Sequence, residues 1–404
     1  MDVGVLGGGL QGCCVAMALA DAGARVVLYD RNAELLTQAA VANEGKMHLG
    51  YMYAGDPTLS TARTMIRGAL AFAPWLGARL GLDGAALPVS EPAVYLIHRD
   101  SQHPVEEVAA HLHAVHRLAQ EAAAGRKDAY FGRDLSAPLR AWSQVERDDW
   151  YDPSTAVAAF GSPELAVQPE ALAGLVRARV HATPGVELRL GETVTAVAED
   201  AEQLAVVSLG AGGRTRERFD HVVNALWDGR LGIDASMGLA PARPWIHRLR
   251  YGIILRPPAS ARRPPTTTII HGAFGEVVNH GEGALNLLWY PACLAGTSHD
   301  LVPPDWPMVP PQPRFARIAQ ASYDGLCGVV SGLKEIDPQT AEISVKGGVI
   351  VAWGATDIDD RASELHRRSD IGISTRGGYH SIDPGKLTMI PYFASECAAR
   401  ILRA

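Results

Sequence analysis

The run Gly7-Gly8-Gly9-Leu10-Gln11-Gly12 has the G-x-G-x-x-G spacing that cradles a phosphate, and an acidic residue, Asp30, follows at close to the ~20 residues such sites use. Gly7 permits a tight strand-to-helix turn. Gly9 lets a pyrophosphate approach the backbone without a Cβ in the way, and Gly12 lets the helix pack closely on the strand. The N–H groups and dipole that open the helix favour negative charge. The Asp30 carboxylate would accept hydrogen bonds from a ribose 2′-hydroxyl and repel a 2′-phosphate, which disfavours NADP. A glycine-rich turn without a ligand is the bland alternative, and context weighs against it. Residues 3–6 read as a short apolar strand, 10–22 as a helix rich in Ala and Leu, and 25–29 as a second apolar strand. That βαβ order makes a dinucleotide site the reading, although the motif alone does not separate FAD from NAD.

Further elements must position whatever reacts with the nucleotide. Helical patterns run near 57–81 and 104–124, and 169–182 reads as a helix opened by Pro169. Residues 186–190 and 193–197 look like paired strands around Gly191. From about 245 to 290 the texture turns β-branched and alternating, as in an antiparallel sheet, with turns near Gly281 and Gly283. Two proline-rich pieces, 257–265 and 303–313, suit edges or loops. Residues 349–353 read as a buried strand, and 386–402 as a final helix.

Composition narrows the class. At 404 residues, 47% hydrophobic and 20% charged, the chain is an ordinary globular protein long enough for two domains. A net charge of -7, with no run of five basic residues, argues against a nucleic-acid partner. No basic leader and no stretch of about 18 apolar residues is legible, so no transmembrane segment and a cytoplasmic location are expected. The five cysteines lack C-x-x-C spacing, which points to reduced, buried thiols. His111, His113 and His116 fall on a helix and read as a solvated face, so no metal is expected. There is no G-x-S-x-G elbow and no P-loop. Richness in Ala and Arg suggests a bacterial source of high GC content and extends the reading to a biosynthetic role.

Three stretches beyond the glycine turn resemble the D-amino-acid-oxidase-like superfamily of FAD-dependent oxidoreductases, nearest its L-2-hydroxyglutarate dehydrogenase branch. The segment Asn43-Glu44-Gly45-Lys46-Met47-His48-Leu49-Gly50-Tyr51-Met52-Tyr53 is similar to the family's run along the flavin. Gly385-Lys386-Leu387-Thr388-Met389-Ile390-Pro391 resembles the turn into a last helix whose N-terminus faces the flavin pyrimidine. Backbone N–H groups there would stabilise the charge of reduced flavin, and Lys386 either offsets that charge or points to solvent. Val222-Val223-Asn224-Ala225-Leu226-Trp227 looks like the strand beside the adenosine, but it departs from the usual Ala-Gly after Asn-Ala.

The resemblance implies FAD as cofactor. It is held at the nucleotide turn by Gly7, Gly9, Leu10, Gln11, Gly12, Asp30 and Arg31, and along the ring by Asn43, Lys46, Met47 and His48. Val194, Asn224, Ala225 and Trp227 would meet the adenosine half, and Gly385, Lys386, Leu387 and Thr388 the pyrimidine. His48 is the first catalytic candidate, as proton acceptor from a substrate hydroxyl; covalent flavin attachment and a merely packed histidine are the alternatives. Tyr53 is a weaker candidate that could simply line a strand face. Arg250 could hold an anionic substrate or be a solvated strand-edge charge, while Tyr379 and His380 could border the substrate cavity or pack a loop.

The expected architecture is α/β: a discontinuous Rossmann-type FAD-binding domain from 1–85, 150–240 and 335–404, interleaved with a mixed or antiparallel β-sheet substrate domain, α+β in character, from 86–149 and 241–334. The expected function is removal of a hydride from a CH–OH or CH–NH carbon of a small polar substrate, with oxygen or another molecule as electron acceptor. A flavin monooxygenase is disfavoured because Gly354-Ala355-Thr356-Asp357 stands where such enzymes carry Gly-Asp-Ala. A dinucleotide-binding protein without redox activity would not need the second helix aimed at the ring.

Overall fold

The structure is a computed structural model that describes residues 1–83, 86–126, 130–281 and 283–403. The expected division at residue 85 and the centre of the turn at 282 fall outside the described residues. The fold is mixed α/β. Its first sheet has six strands in the spatial order Gly372–Arg376, Tyr379–Asp383, His221–Asn224, Asp2–Leu6, Arg25–Asp30, Val186–Leu190. All neighbours are parallel except the edge strand Gly372–Arg376. Val3, Val5, Val26 and Leu28 have no exposed surface, as expected of a parallel sheet covered on both faces.

The helices Leu10–Asp21, Ser60–Leu80, Pro169–His181 and Ile390–Ile401 bury one large apolar cluster against this sheet, and Val105–Ala123 joins them through Val108, Leu112 and Val115. The opposite face is covered by a three-stranded antiparallel sheet, Thr193–Asp200, Gln203–Gly210 and Gly213–Phe219. Residues 186–190 and 193–197 therefore do not pair with each other. The chain leaves the parallel sheet at Gly191, where backbone bonds from Gly191 to Asn32 and from Glu192 to Asp30 fix its exit.

The second sheet has nine strands. Its longest ladder pairs Trp245–Arg256 antiparallel with Glu342–Trp353 over twelve residues each, in a register that sets Arg250 opposite Gly348. Ala156–Gly161 also belongs to this sheet, beside Val94–His98. The strands 156–161 and 342–353, expected within the nucleotide-binding portion, thus pair in the other sheet. The first is buried on both sides there, Ala156 and Ala159 in the cluster of the large sheet and Phe160 in the cluster of the helices. Helix Arg314–Cys327 closes one face of it, packing Ile318, Ala319 and Leu326 in one cluster with Leu287 and Tyr251.

Candidate functional site

A cavity of about 580 Å³ runs from the glycine turn to the last helix, between the two sheets. That volume is in the range of cofactor sites. At one end Gly7 has φ +99°, and a Cβ there would lie 2.7 Å from the Ala225 carbonyl oxygen. A Cβ on Gly12 would lie 1.9 Å from the Gly7 carbonyl oxygen, so its role is helix packing, and it does not line the cavity. Gly9 differs: a Cβ there would meet nothing within 4 Å, because the position faces the cavity. The backbone N–H groups at this turn are what a pyrophosphate requires. Asp30 is pre-oriented by N–H donors from Gly8 at 2.7 Å and from the Asn32 backbone at 2.7 Å. Arg31 lines the cavity while pairing with Asp228 at 3.3 Å.

Leu10, Gln11, Val194, Ala225 and Trp227 also line it. Trp227 takes φ +57° and donates its indole N–H to the Val349 carbonyl at 2.6 Å, which fixes the ring at the cavity wall. Gln11 donates to the Ile390 carbonyl at 3.3 Å, tying the first helix to the last, while its buried Oε1 has no donor among the described residues. An orphaned acceptor at the wall of a cleft fits a ligand that brings hydrogen-bond donors. Asn224 is different. It is fully buried and donates to the Arg230 carbonyl, Asp234 and Tyr379, so it builds the wall from behind.

The loop 39–48 forms the flank. Asn43 lines the cavity, but its amide is spent on the Ala39 and Ala40 carbonyls and its oxygen on Gly45 N–H, shaping the loop. Met47 is buried without reaching the cavity, and its carbonyl accepts from Tyr130 at 2.6 Å. Thr388 is buried too, accepting the His48 N–H at 2.9 Å and donating to the Lys46 carbonyl. Lys46 lines the cavity while its ammonium pairs with Glu276 and Thr268 of the large sheet.

Charge is concentrated at the far end. His48, Arg250, Gly385, Lys386 and Leu387 line the cavity there. The His48 Nδ1 lies 3.3 Å from Glu164 Oε1, and Glu164 has no exposed surface. Burial holds His48 below the usual histidine range, with Glu164 opposing that shift, so the ring is neutral near pH 7. Arg250 pairs with Glu44, so the guanidinium expected to grip a substrate already has a carboxylate. Arg248, two residues away on the same strand face, pairs with Asp357 at 2.6 Å and donates to the Tyr290 hydroxyl. Lys386 and Arg368 differ from these pairs: among the described residues neither has a carboxylate oxygen within 4.0 Å. Burial and the neighbouring Arg368 push Lys386 down to about 7, and burial with Arg248 lowers Arg368.

Three of the expected catalytic residues lie off the cavity. Tyr53 stands behind His48, its ring 5.9 Å away edge-on, with a buried hydroxyl that has no partner among the described residues. Tyr379 and His380 do not border the cavity. They begin the sheet strand Tyr379–Asp383, where Tyr379 donates to Asp234 at 2.8 Å and His380 meets His221 and Thr375. The supposedly solvated His111 and His116 are buried, bonded to the carbonyls of Gly50 and Ala137. Sequence reasoning missed Glu44, Glu164, Arg248, Glu276, Tyr290, Asp357 and Arg368. Only Arg248 carried a signal, its two-residue spacing from Arg250 on one strand.

A family model described as DAO, FAD dependent oxidoreductase, matches residues 2–323. The fold resembles glycine oxidase from Geobacillus kaustophilus at 14% identity and TM-score 0.69, covering 100% of this chain and 94% of that one. It also resembles L-proline dehydrogenase from P. horikoshii, at 13% and 0.68 over 100% and 93%. A third similar structure is NikD, an amino acid oxidase essential for nikkomycin biosynthesis, at 16% and 0.67 over 99% and 93%. No curated protein matches the sequence significantly.

Proposed function

The chain belongs to the DAO family of FAD-dependent oxidoreductases, and from that premise we propose that it oxidises a carbon bearing an amine or a hydroxyl in a small carboxylate substrate. FAD, when bound, supplies the hydride acceptor. The residues lining the cavity fit that cofactor: the open face of Gly9 for the pyrophosphate, Asp30 for the ribose, and Gly385 and Leu387 for the ring. The observation that carries the substrate reading is the pair Lys386, half-buried on the cavity wall near His48, and Arg368, buried off the wall beside it, two cations without a carboxylate partner among the described residues. A buried cation is costly unless something anionic compensates it. A substrate carboxylate does so, and it orients the neighbouring carbon for reaction. His48 then accepts the proton from the substrate hydroxyl or ammonium.

In this reading the parallel-sheet portion holds the cofactor, and the nine-stranded sheet, through Arg248, Arg250 and Glu276, closes the substrate end. The stretch from His48 to Tyr53 favours a 2-hydroxy acid, in line with the L-2-hydroxyglutarate dehydrogenase branch. The similar structures, an amino acid oxidase among them, favour an amino acid. Among the described residues no helix is long and apolar enough to cross a membrane, and all five cysteines are buried and free. Both support a cytoplasmic enzyme.

The test is anaerobic addition of 2-hydroxy acids and of amino acids, as separate panels, to the flavin-loaded protein. Bleaching of the flavin bands by one panel supports the reading and names the bond oxidised. Admitting air then shows whether oxygen accepts the electrons. A flavin that no member of either panel bleaches would contradict the proposal.

A further inference from the structure

Glu164 is the most deeply buried carboxylate at this end of the cavity, with no exposed surface, and it stands on no motif. A carboxylate in such a place is tolerated only when its charge is compensated and its lone pairs are used. Its Oε2 accepts the Leu49 N–H at 2.7 Å, and its Oε1 accepts the Tyr95 hydroxyl and faces His48 Nδ1 at 3.3 Å. Lys46 is a further nearby cation, and its own ammonium pairs with Glu276. Despite burial, these partners hold Glu164 below the usual carboxylate range, so it is ionised. It holds this turn by the Leu49 backbone N–H and sets its other oxygen within ion-pair distance of the His48 ring. From the other side, Thr388 accepts the His48 backbone N–H at 2.9 Å.

The consequence is a fixed imidazole. A carboxylate facing Nδ1 favours the tautomer with its proton there, which leaves a lone pair on Nε2. Nε2 has no hydrogen-bond partner among the described residues and His48 lines the cavity, while Nδ1 lies at ion-pair distance from Glu164 Oε1, 3.3 Å, outside hydrogen-bond geometry. We infer that Glu164 is a positioning residue: it sets the His48 tautomer and stabilises the imidazolium formed when Nε2 takes the substrate's proton. In that step the substrate O–H or N–H bond breaks, the proton moves to Nε2, and Glu164 stays anionic. The electron pair leaves from the carbon as hydride to FAD, and the imidazolium later returns its proton to solvent. This rests on the reading of His48 given above. Lys386, which faces the same space, is excluded as proton acceptor in this scheme because it holds the carboxylate as a cation.

Glu164→Gln keeps the shape and removes the charge. Its expected effects are unchanged flavin content, a rate of anaerobic flavin reduction lower by about 10- to 100-fold, and an acid limb of the pH–rate profile moved to lower pH. The limb moves down because the carboxylate supports the charged ring. Glu164→Asp should recover part of the rate. Tyr95→Phe, which frees Glu164 Oε1 to serve the ring, should move the limb the other way, and it keeps the inference testable should Glu164→Gln not fold. Independently of turnover, the ring ¹⁵N shifts of His48 in substrate-free protein should show Nδ1 protonated in the native chain and a tautomer mixture in Glu164→Gln. Unchanged limb, rate and ring shifts, with His48→Ala still slow, would overturn the role of Glu164 alone. Unchanged kinetics in His48→Ala as well would overturn the reading on which it rests.

Discussion

The two ends of the cavity are built on opposite principles. The end at the glycine turn is made of backbone and small residues: Gly7 and Gly12 let strand and helix approach, and Gly9 leaves space. Its polar groups are oriented in advance by local bonds, as Gly8 and Asn32 orient Asp30. The other end is made of buried and half-buried charged side chains drawn from the nine-stranded sheet and from loops. There Arg250 meets Glu44, Lys46 meets Glu276, Arg248 meets Asp357, and Lys386 and Arg368 are left over. The first end holds a large ligand by omitting side chains; the second prepares for a small one by leaving charge uncompensated. The contrast implies that the first end can be damaged without cost to folding only where it faces the cavity, whereas damage at the second can even stabilise the chain.

The largest effect is expected at the glycine turn. Gly9 sits in extended backbone at φ −74°, a conformation open to valine, so Gly9→Val should fold normally yet fill the pyrophosphate space. FAD affinity should fall on the order of 100-fold, about 3 kcal/mol. Gly12→Ala should instead lower thermal stability, because its Cβ meets the Gly7 carbonyl. Flavin content and melting temperature, measured side by side, separate the two; if Gly9→Val lost stability and Gly12→Ala lost only flavin, the division of labour would be reversed.

At the charged end, Lys386→Met should raise KM for a carboxylate substrate by about 10- to 100-fold, the worth of a charged hydrogen bond. The same change should stabilise the apoprotein by about 1–2 kcal/mol, a few degrees in melting temperature, because an uncompensated buried cation is removed. The pH dependence is the smaller effect and follows from the same group. Lys386 titrates at about 7 in the folded chain against 10.5 ordinarily, so the unfolded chain binds the extra proton between those values and stability rises with pH across that window. Substrate affinity moves oppositely, falling as pH rises through about 7 and the ammonium is lost. Neither slope should survive in Lys386→Met, and chemical denaturation and steady-state kinetics from pH 6 to 10 would expose one that did.

Legibility followed the same division. The glycine turn was readable because its chemistry lies in consecutive residues, with the two strands and the helix that flank it. His48 and Lys386 were found through a resemblance, and the structure brings both to the cavity from positions far apart in the chain. Glu164, Asp357 and Arg368 were not legible, since each is one charged residue in an unremarkable context and only the folded chain decides whether it meets a partner. Tyr379 and His380 misled for a related reason. They lie near the cofactor-facing turn in sequence, but a parallel strand carries them to the other end of the sheet, where they serve Asp234 and His221. The partner of strand 342–353 was not legible either, because its twelve-residue pairing with 245–256 is a long-range fact.

The central claim is that this flavin site acts on a substrate anchored by its carboxylate. The most direct measurement is anaerobic flavin reduction by one reactive acid and by its carboxamide, which keeps the reacting carbon and removes the charge. The acid should bleach the flavin at a rate that saturates in the millimolar range or below, while the amide should reduce it at least about 10-fold more slowly at equal concentration. Equal reduction by both would mean that Lys386 and Arg368 do not hold the substrate, and the account of the charged end would fall.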